Sequence, residues 1–157
     1  MKRSLAGILA LSLVLLTGCG DTEVSATADN LPTVTANMGE APTIGAPSGT
    51  PPTTLESKDI IVGTGAEVAA TSTITFHYTL MTWSNGALIE SSWNSGAPAT
   101  YPLSQLIVGW QQGIPGMKVG GRRLLVVPPD LGYGAQGSGP VGPNETLVFV
   151  MDIVSVS

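Results

Sequence analysis

Residues 107–117 read IVGWQQGIPGM. The apolar residues Ile107, Trp110, Ile114 and Met117 recur at the spacing of one helix face. Against that, Gly109, Gly113 and Gly116 each weaken a helix by up to about 1 kcal/mol, and Pro115 cannot stand in its interior. The stretch therefore predicts a helix of two turns at most, closed near Ile114. It is the only helical signal in the chain, so the rest of the fold must come from strands. A tryptophan in so poor an element needs a broad apolar surface to lie against.

That surface is legible on either side. In STITFHYTLMT (72–82) Ile74, Phe76, Tyr78 and Leu80 alternate with Thr75, His77 and Thr79, the pattern of a half-buried strand. Asn85-Gly86 follows as a hairpin signal of type I′. RRLLVVPP (122–129) is a further apolar run, and ETLVFVMDIVSVS (145–157) places Leu147, Phe149, Met151 and Ile153 on one face. LESKDIIVGTG (55–65) reads as another strand at the start of the domain. Short strands with one helix predict an α+β domain, an antiparallel sheet covered by that helix, over residues 52–157.

The N-terminal third reads differently. Lys2 and Arg3 precede an apolar run from Leu5 to Leu16, a signal peptide over residues 1–18 that is short for a membrane span. Leu16-Thr17-Gly18-Cys19 resembles the lipobox of bacterial lipoproteins, which makes Cys19 the expected lipidation site and mature N-terminus. Cys19 is the single cysteine, so no internal disulfide competes for it. The expected location is extracytoplasmic, on a cell membrane. Residues 20–51 show no helix or strand period and no aromatic residue, and are read with Cys19 as a flexible tether over 19–51.

Composition excludes several classes of function. The net charge of −5 rules out a basic footprint for nucleic acid. GYGAQG (132–137) matches the letters of a dinucleotide fingerprint, but the following SGPVGP cannot open the helix that the motif requires. One histidine and one cysteine cannot build a metal cluster, so no metal and no cofactor are expected. His77 lies on the strand face opposite Tyr78, which argues against a catalytic base. Asn144-Glu145-Thr146 is a formal glycosylation sequon, idle in a bacterial lipoprotein.

FHYTLMTW, NGALIESSW, LIVGWQQGIPGMKVGGRR, PPDLGYGAQG and PNETLVFVMDI follow, in order and spacing, the pattern of the FKBP-type peptidyl-prolyl cis–trans isomerases. The resemblance covers about residues 53–157. It implies an antiparallel sheet of five to six strands wrapped around one short α-helix, and a non-covalent isomerase acting on X-Pro bonds of secreted or envelope proteins. It also implies a site. Tyr78, Phe149 and Trp110 would wall a proline ring, with Leu106 and Ile107 at the rim and the Ile107 N–H donating to a ligand carbonyl. Tyr133 would donate its hydroxyl, and Val141 would lie in a flap near the mouth. Tyr101 matches a core aromatic beneath the pocket. Ile89-Glu90 stands where the family usually has Phe-Asp, and Ala99 where an aromatic is expected, so a shallower and more open pocket follows. Partners are proline-containing polypeptides, and the membrane through lipid on Cys19; the domain is expected to be monomeric. The competing reading is a tethered module that binds proline-containing segments with little catalysis.

Overall fold

A computed structural model describes residues 30–157. The expected signal peptide, Cys19 and residues 20–29 lie outside the described residues. Six strands and one α-helix make up the domain: β1 (Glu56–Ile61), β2 (Thr73–Thr82), β3 (Leu88–Ser91), β4 (Ala99–Pro102), α1 (Val108–Gly113), β5 (Arg122–Val127) and β6 (Leu147–Val156). The sheet is antiparallel throughout, in the order β1-β5-β6-β2-β3. β4 pairs with the first half of β2 and β3 with the second half, so the two short strands share one edge.

β6 lies between β5 and β2 and is buried from Leu147 to Ile153. Its side chains alternate between two cores, as the period of a strand requires. Leu147, Phe149, Met151 and Ile153 join Ile74, Phe76, Leu80, Leu125 and Val127 beneath Trp110 and Ile114 of the helical segment. Val148 and Val150 face the other way, with Met81, Trp83, Leu124 and Val126.

This second core corrects two expectations. The sheet is not half-buried, and residues 30–51 are not a free tether: they form a strap across its outer face. Leu31, Val34 and Ile44 pack on the second core, and Val34 bridges Ile44 antiparallel. The physical reason is that three scattered apolar residues suffice once an apolar face exists to receive them, whereas they could build no core alone. A fully buried arginine pins the strap. Arg122 donates Nε and Nη2 to the two oxygens of Asp152 directly across the β5–β6 ladder, at 2.6 and 2.8 Å. Its remaining donors reach Thr35 O, Asn37 Oδ1 and Glu40 O in the strap. Trp83 Nε1 donates to Gly49 O at the far end.

The Asn85-Gly86 hairpin is also corrected. Gly86 has φ 65° but Asn85 stays at negative φ, so the turn is not type I′. The loop is longer, closed by Thr82 N–H to Ala87 O at 3.0 Å, with Asn85 Oδ1 accepting from Thr82 Oγ1 and Ala87 N–H. Glu145 holds Ser84 through its N–H and hydroxyl. Side-chain bonds replace the left-handed backbone that a two-residue turn needs.

The helix is as short as its glycines and proline predict, and the glycines have a use. A Cβ at Gly109 would lie 2.5 Å from Val127 Cγ1, and one at Gly113 2.7 Å from Leu125 Cδ2. Four residues apart, both glycines lie on one helix face and let it settle directly onto β5. Arg123 Nη1, anchored by Asp59, donates to the Gly113 carbonyl at 2.8 Å and closes the helix C-terminus. Gly109→Ala should therefore destabilise the protein by about 1–3 kcal/mol through overpacking, despite the better helix propensity of alanine. Urea denaturation checks this; an unchanged or raised midpoint would contradict the close approach.

Candidate active site

Above the inner face of the sheet the helix leaves a cleft of about 230 Å³. Trp110 forms its centre, 6% exposed, with Phe149 of β6 at 4.9 Å, Phe76 at 5.3 Å and Tyr78 at 5.7 Å between ring centroids. All three rings meet the indole edge-to-face or tilted, the arrangement that the aromatic quadrupole favours. Phe76, Tyr78 and Leu80 arrive together because alternate residues of β2 share one face. Glu90 stands opposite Leu80 in the β2–β3 ladder, and Ala99 opposite Phe76 in the β2–β4 ladder.

The segment entering α1 supplies one rim. Leu106, Ile107, Trp110 and Tyr133 line a smaller adjoining hollow of about 70 Å³. No acceptor among the described residues takes the Ile107 N–H, while its carbonyl receives the Trp110 and Gln111 amides. Tyr133 rests in a tight loop, held by Gly137 N–H to Tyr133 O at 3.2 Å and Asn144 N–H to Gly134 O at 2.9 Å. A side chain at Gly137 would collide with the Val141 and Gly142 backbone, and φ there is 67°.

Burial, followed by the neighbouring Glu90 carboxylate, pushes the Tyr78 phenol well above its ordinary value of 10.0. Burial and then Glu90 raise Tyr133 likewise. Both shifts favour the protonated phenol, so both hydroxyls remain donors across the neutral range. His77 lies on the other face, its ring stacked on Trp93 at 3.9 Å and its Nδ1 2.9 Å from Ser92 Oγ. Burial lowers its pKa below 6.5, against the opposing pull of Asp152. Among the described residues no three His, Cys, Asp or Glu side chains come together as metal ligands.

Of the residues expected at the site, Tyr78, Glu90, Leu106, Trp110, Tyr133 and Phe149 line the one cleft, and Ile107 the adjoining hollow. Ile89 packs against the inner core, one residue away from the lining Glu90. Val141 lies in the loop between Tyr133 and β6, but it is 4% exposed, packs in the inner core and does not line the cleft. Tyr101 is corrected: it is half-exposed at the rim instead of buried beneath the cleft. Phe76 and Leu80 line the cleft without having been singled out, although the alternation through Tyr78 already placed them on its face.

A family model described as FKBP-type peptidyl-prolyl cis-trans isomerase matches residues 65–154. A probable FK506-binding protein of Corynebacterium glutamicum is 47% identical over 116 residues, which cover 74% of this chain and 98% of that one. The outer membrane protein MIP of Legionella longbeachae is 38% identical over 124 residues, covering 78% of this chain and 51% of its own length. Among solved structures, FkpA from Escherichia coli superposes with a TM-score of 0.62 at 31% identity, covering 66% of this chain and 48% of that one. The chain thus matches the Corynebacterium protein almost end to end, and about half the length of the other two.

Proposed function

The chain belongs to the FKBP-type peptidyl-prolyl cis-trans isomerases, and we propose that its aromatic cleft performs the isomerisation by stabilising a twisted prolyl amide without covalent chemistry. The observation that carries this is the convergence of Trp110, Phe149, Phe76 and Tyr78 on one cleft, with the Tyr133 hydroxyl and the Ile107 N–H at its edge.

Rotation about a peptide bond meets a barrier of about 18–20 kcal/mol because resonance stabilises the planar form. For X-Pro the two isomers are close in energy, so the barrier limits the exchange. A twisted amide has lost resonance and much of its charge separation, so it gives up less on leaving water than the planar form does. An apolar cleft consequently favours it, with the proline ring on Trp110 and between Phe149 and Tyr78. Donors at Tyr133 and Ile107 add to this only as far as they bond the twisted geometry better than the planar one. Leu106 covers the rim and Glu90 sets the charge at the mouth. Tyr133→Phe should slow turnover roughly fivefold, the worth of about 1 kcal/mol for one partly hydrated hydrogen bond, with little change in stability. A rate unchanged in a peptide isomerisation assay would remove the hydroxyl from the mechanism.

The substrates we propose are prolyl bonds of secreted or envelope proteins, where uncatalysed isomerisation takes tens of seconds and delays folding. Support comes from Leu16-Thr17-Gly18-Cys19 behind a short apolar run, and from the relative named as an outer membrane protein. On this reading Cys19 carries lipid and holds the domain at the membrane. More than one acyl chain is needed for stable anchoring. Cys19→Ser should move the protein into the soluble fraction, and its retention on membranes would overturn the anchor.

A further inference from the structure

We propose that the cleft selects prolyl bonds flanked by a lysine or arginine, through the Glu90 carboxylate and the exposed ring of Tyr101. The inference rests on the reading of the cleft as the prolyl site and names its preferred substrate class.

Among the described residues Glu90 is the only charged one lining the cleft. It is exposed at the end where β3 and β4 meet the edge of β2, and the half-exposed Tyr101 lines the same cleft. Ala99, opposite Phe76, lies along β2 between Glu90, opposite Leu80, and Tyr101, opposite Ile74, and its small side chain leaves room for a long one beside the proline. A lysine or arginine stem can cover the apolar wall while its charged head reaches the carboxylate and an aromatic face. Among the described residues no cation competes for Glu90. Arg122 is buried against Asp152, Arg123 is paired with Asp59, and neither Lys58 nor Lys118 lines the cleft. An acidic side chain beside the proline would meet an unneutralised carboxylate on a chain of net charge −5.

The test uses matched peptides carrying Leu, Lys or Glu on either side of one proline, with both exchange rate and binding measured by NMR. At low salt the lysine peptides should exceed the glutamate peptides about five- to tenfold in kcat/KM, as an exposed ion pair with cation–π support allows. The ratio should fall toward one in 1 M salt, where the Debye length is about 3 Å. Glu90→Gln should collapse it too, whereas Glu67→Gln, which removes an exposed charge outside the cleft, should leave it intact. Equal kcat/KM for lysine and glutamate peptides while the leucine peptide is turned over would overturn the proposal, as would a ratio lost equally in Glu67→Gln. Should no peptide be isomerised, the catalytic reading fails, and the binding constants of the same peptides still decide the charge preference.

Discussion

A chain that begins at Pro52 should melt far below one that begins at Asn30, and should tend to aggregate. Removing residues 30–51 uncovers Met81, Trp83, Leu124, Val126, Val148 and Val150, a continuous apolar face. Exposing even about 200 Å² of it costs on the order of 5 kcal/mol at about 25 cal/mol per Å². Three donor contacts of Arg122 also lose their acceptors in the strap. Against a total stability of about 5–15 kcal/mol, that is a large fraction. Thermal unfolding should show a fall of roughly 20 °C or more for a domain of this size. Equal melting temperatures for the two chains would mean that the strap contributes nothing and that 30–51 is a tether after all.

Phe149→Ala joins stability to activity. The ring is 2% exposed on the central strand and packs edge-on against Trp110. Truncating a buried phenylalanine typically costs about 3–5 kcal/mol. The same change removes one wall of the cleft and lets water reach the amide, so isomerisation should fall at least tenfold. Urea denaturation reads the first effect, and peptide exchange under conditions where the variant stays folded reads the second. Full activity in a folded variant would separate the chemistry from the cleft.

How far the sequence could be read follows from where its signals were local. The helix could be bounded because Gly113 and Pro115 act within the backbone itself, and the inner core followed from the period of β2 and β6. The cleft residues were reached through ordered motifs as well as alternation, and they come together because β2, β6 and α1 are fixed against one another. The strap was illegible for a physical reason. Leu31, Val34 and Ile44 have no period, and their partners lie from roughly forty to more than a hundred residues further on in the chain. A hint was nevertheless present. The apolar runs RRLLVV and LVFVMDI are continuous, as in strands buried on both faces, not alternating as in a half-solvated sheet. Arg122 and Asp152, charges embedded in those runs, likewise needed partners that a dry interior must supply. The Asn85-Gly86 signal misled because Asn85 spends its side chain on Thr82 and Ala87, which favours the longer turn.

The central claim is that an apolar cleft accelerates prolyl rotation with no titrating group. Its most direct test is the cis–trans exchange rate of an Ala-Leu-Pro-Phe peptide, followed by NMR with the wild-type protein and with folded Phe149→Ala at pH 6, 7 and 8. His77 is the one side chain whose ordinary pKa lies in that range, and it stacks on Trp93 outside the cleft. The wild-type rate should be accelerated and level across the three pH values, and the variant should fall toward the uncatalysed rate at each. A rate that follows a single titration, or one that survives in the folded variant, would contradict the account.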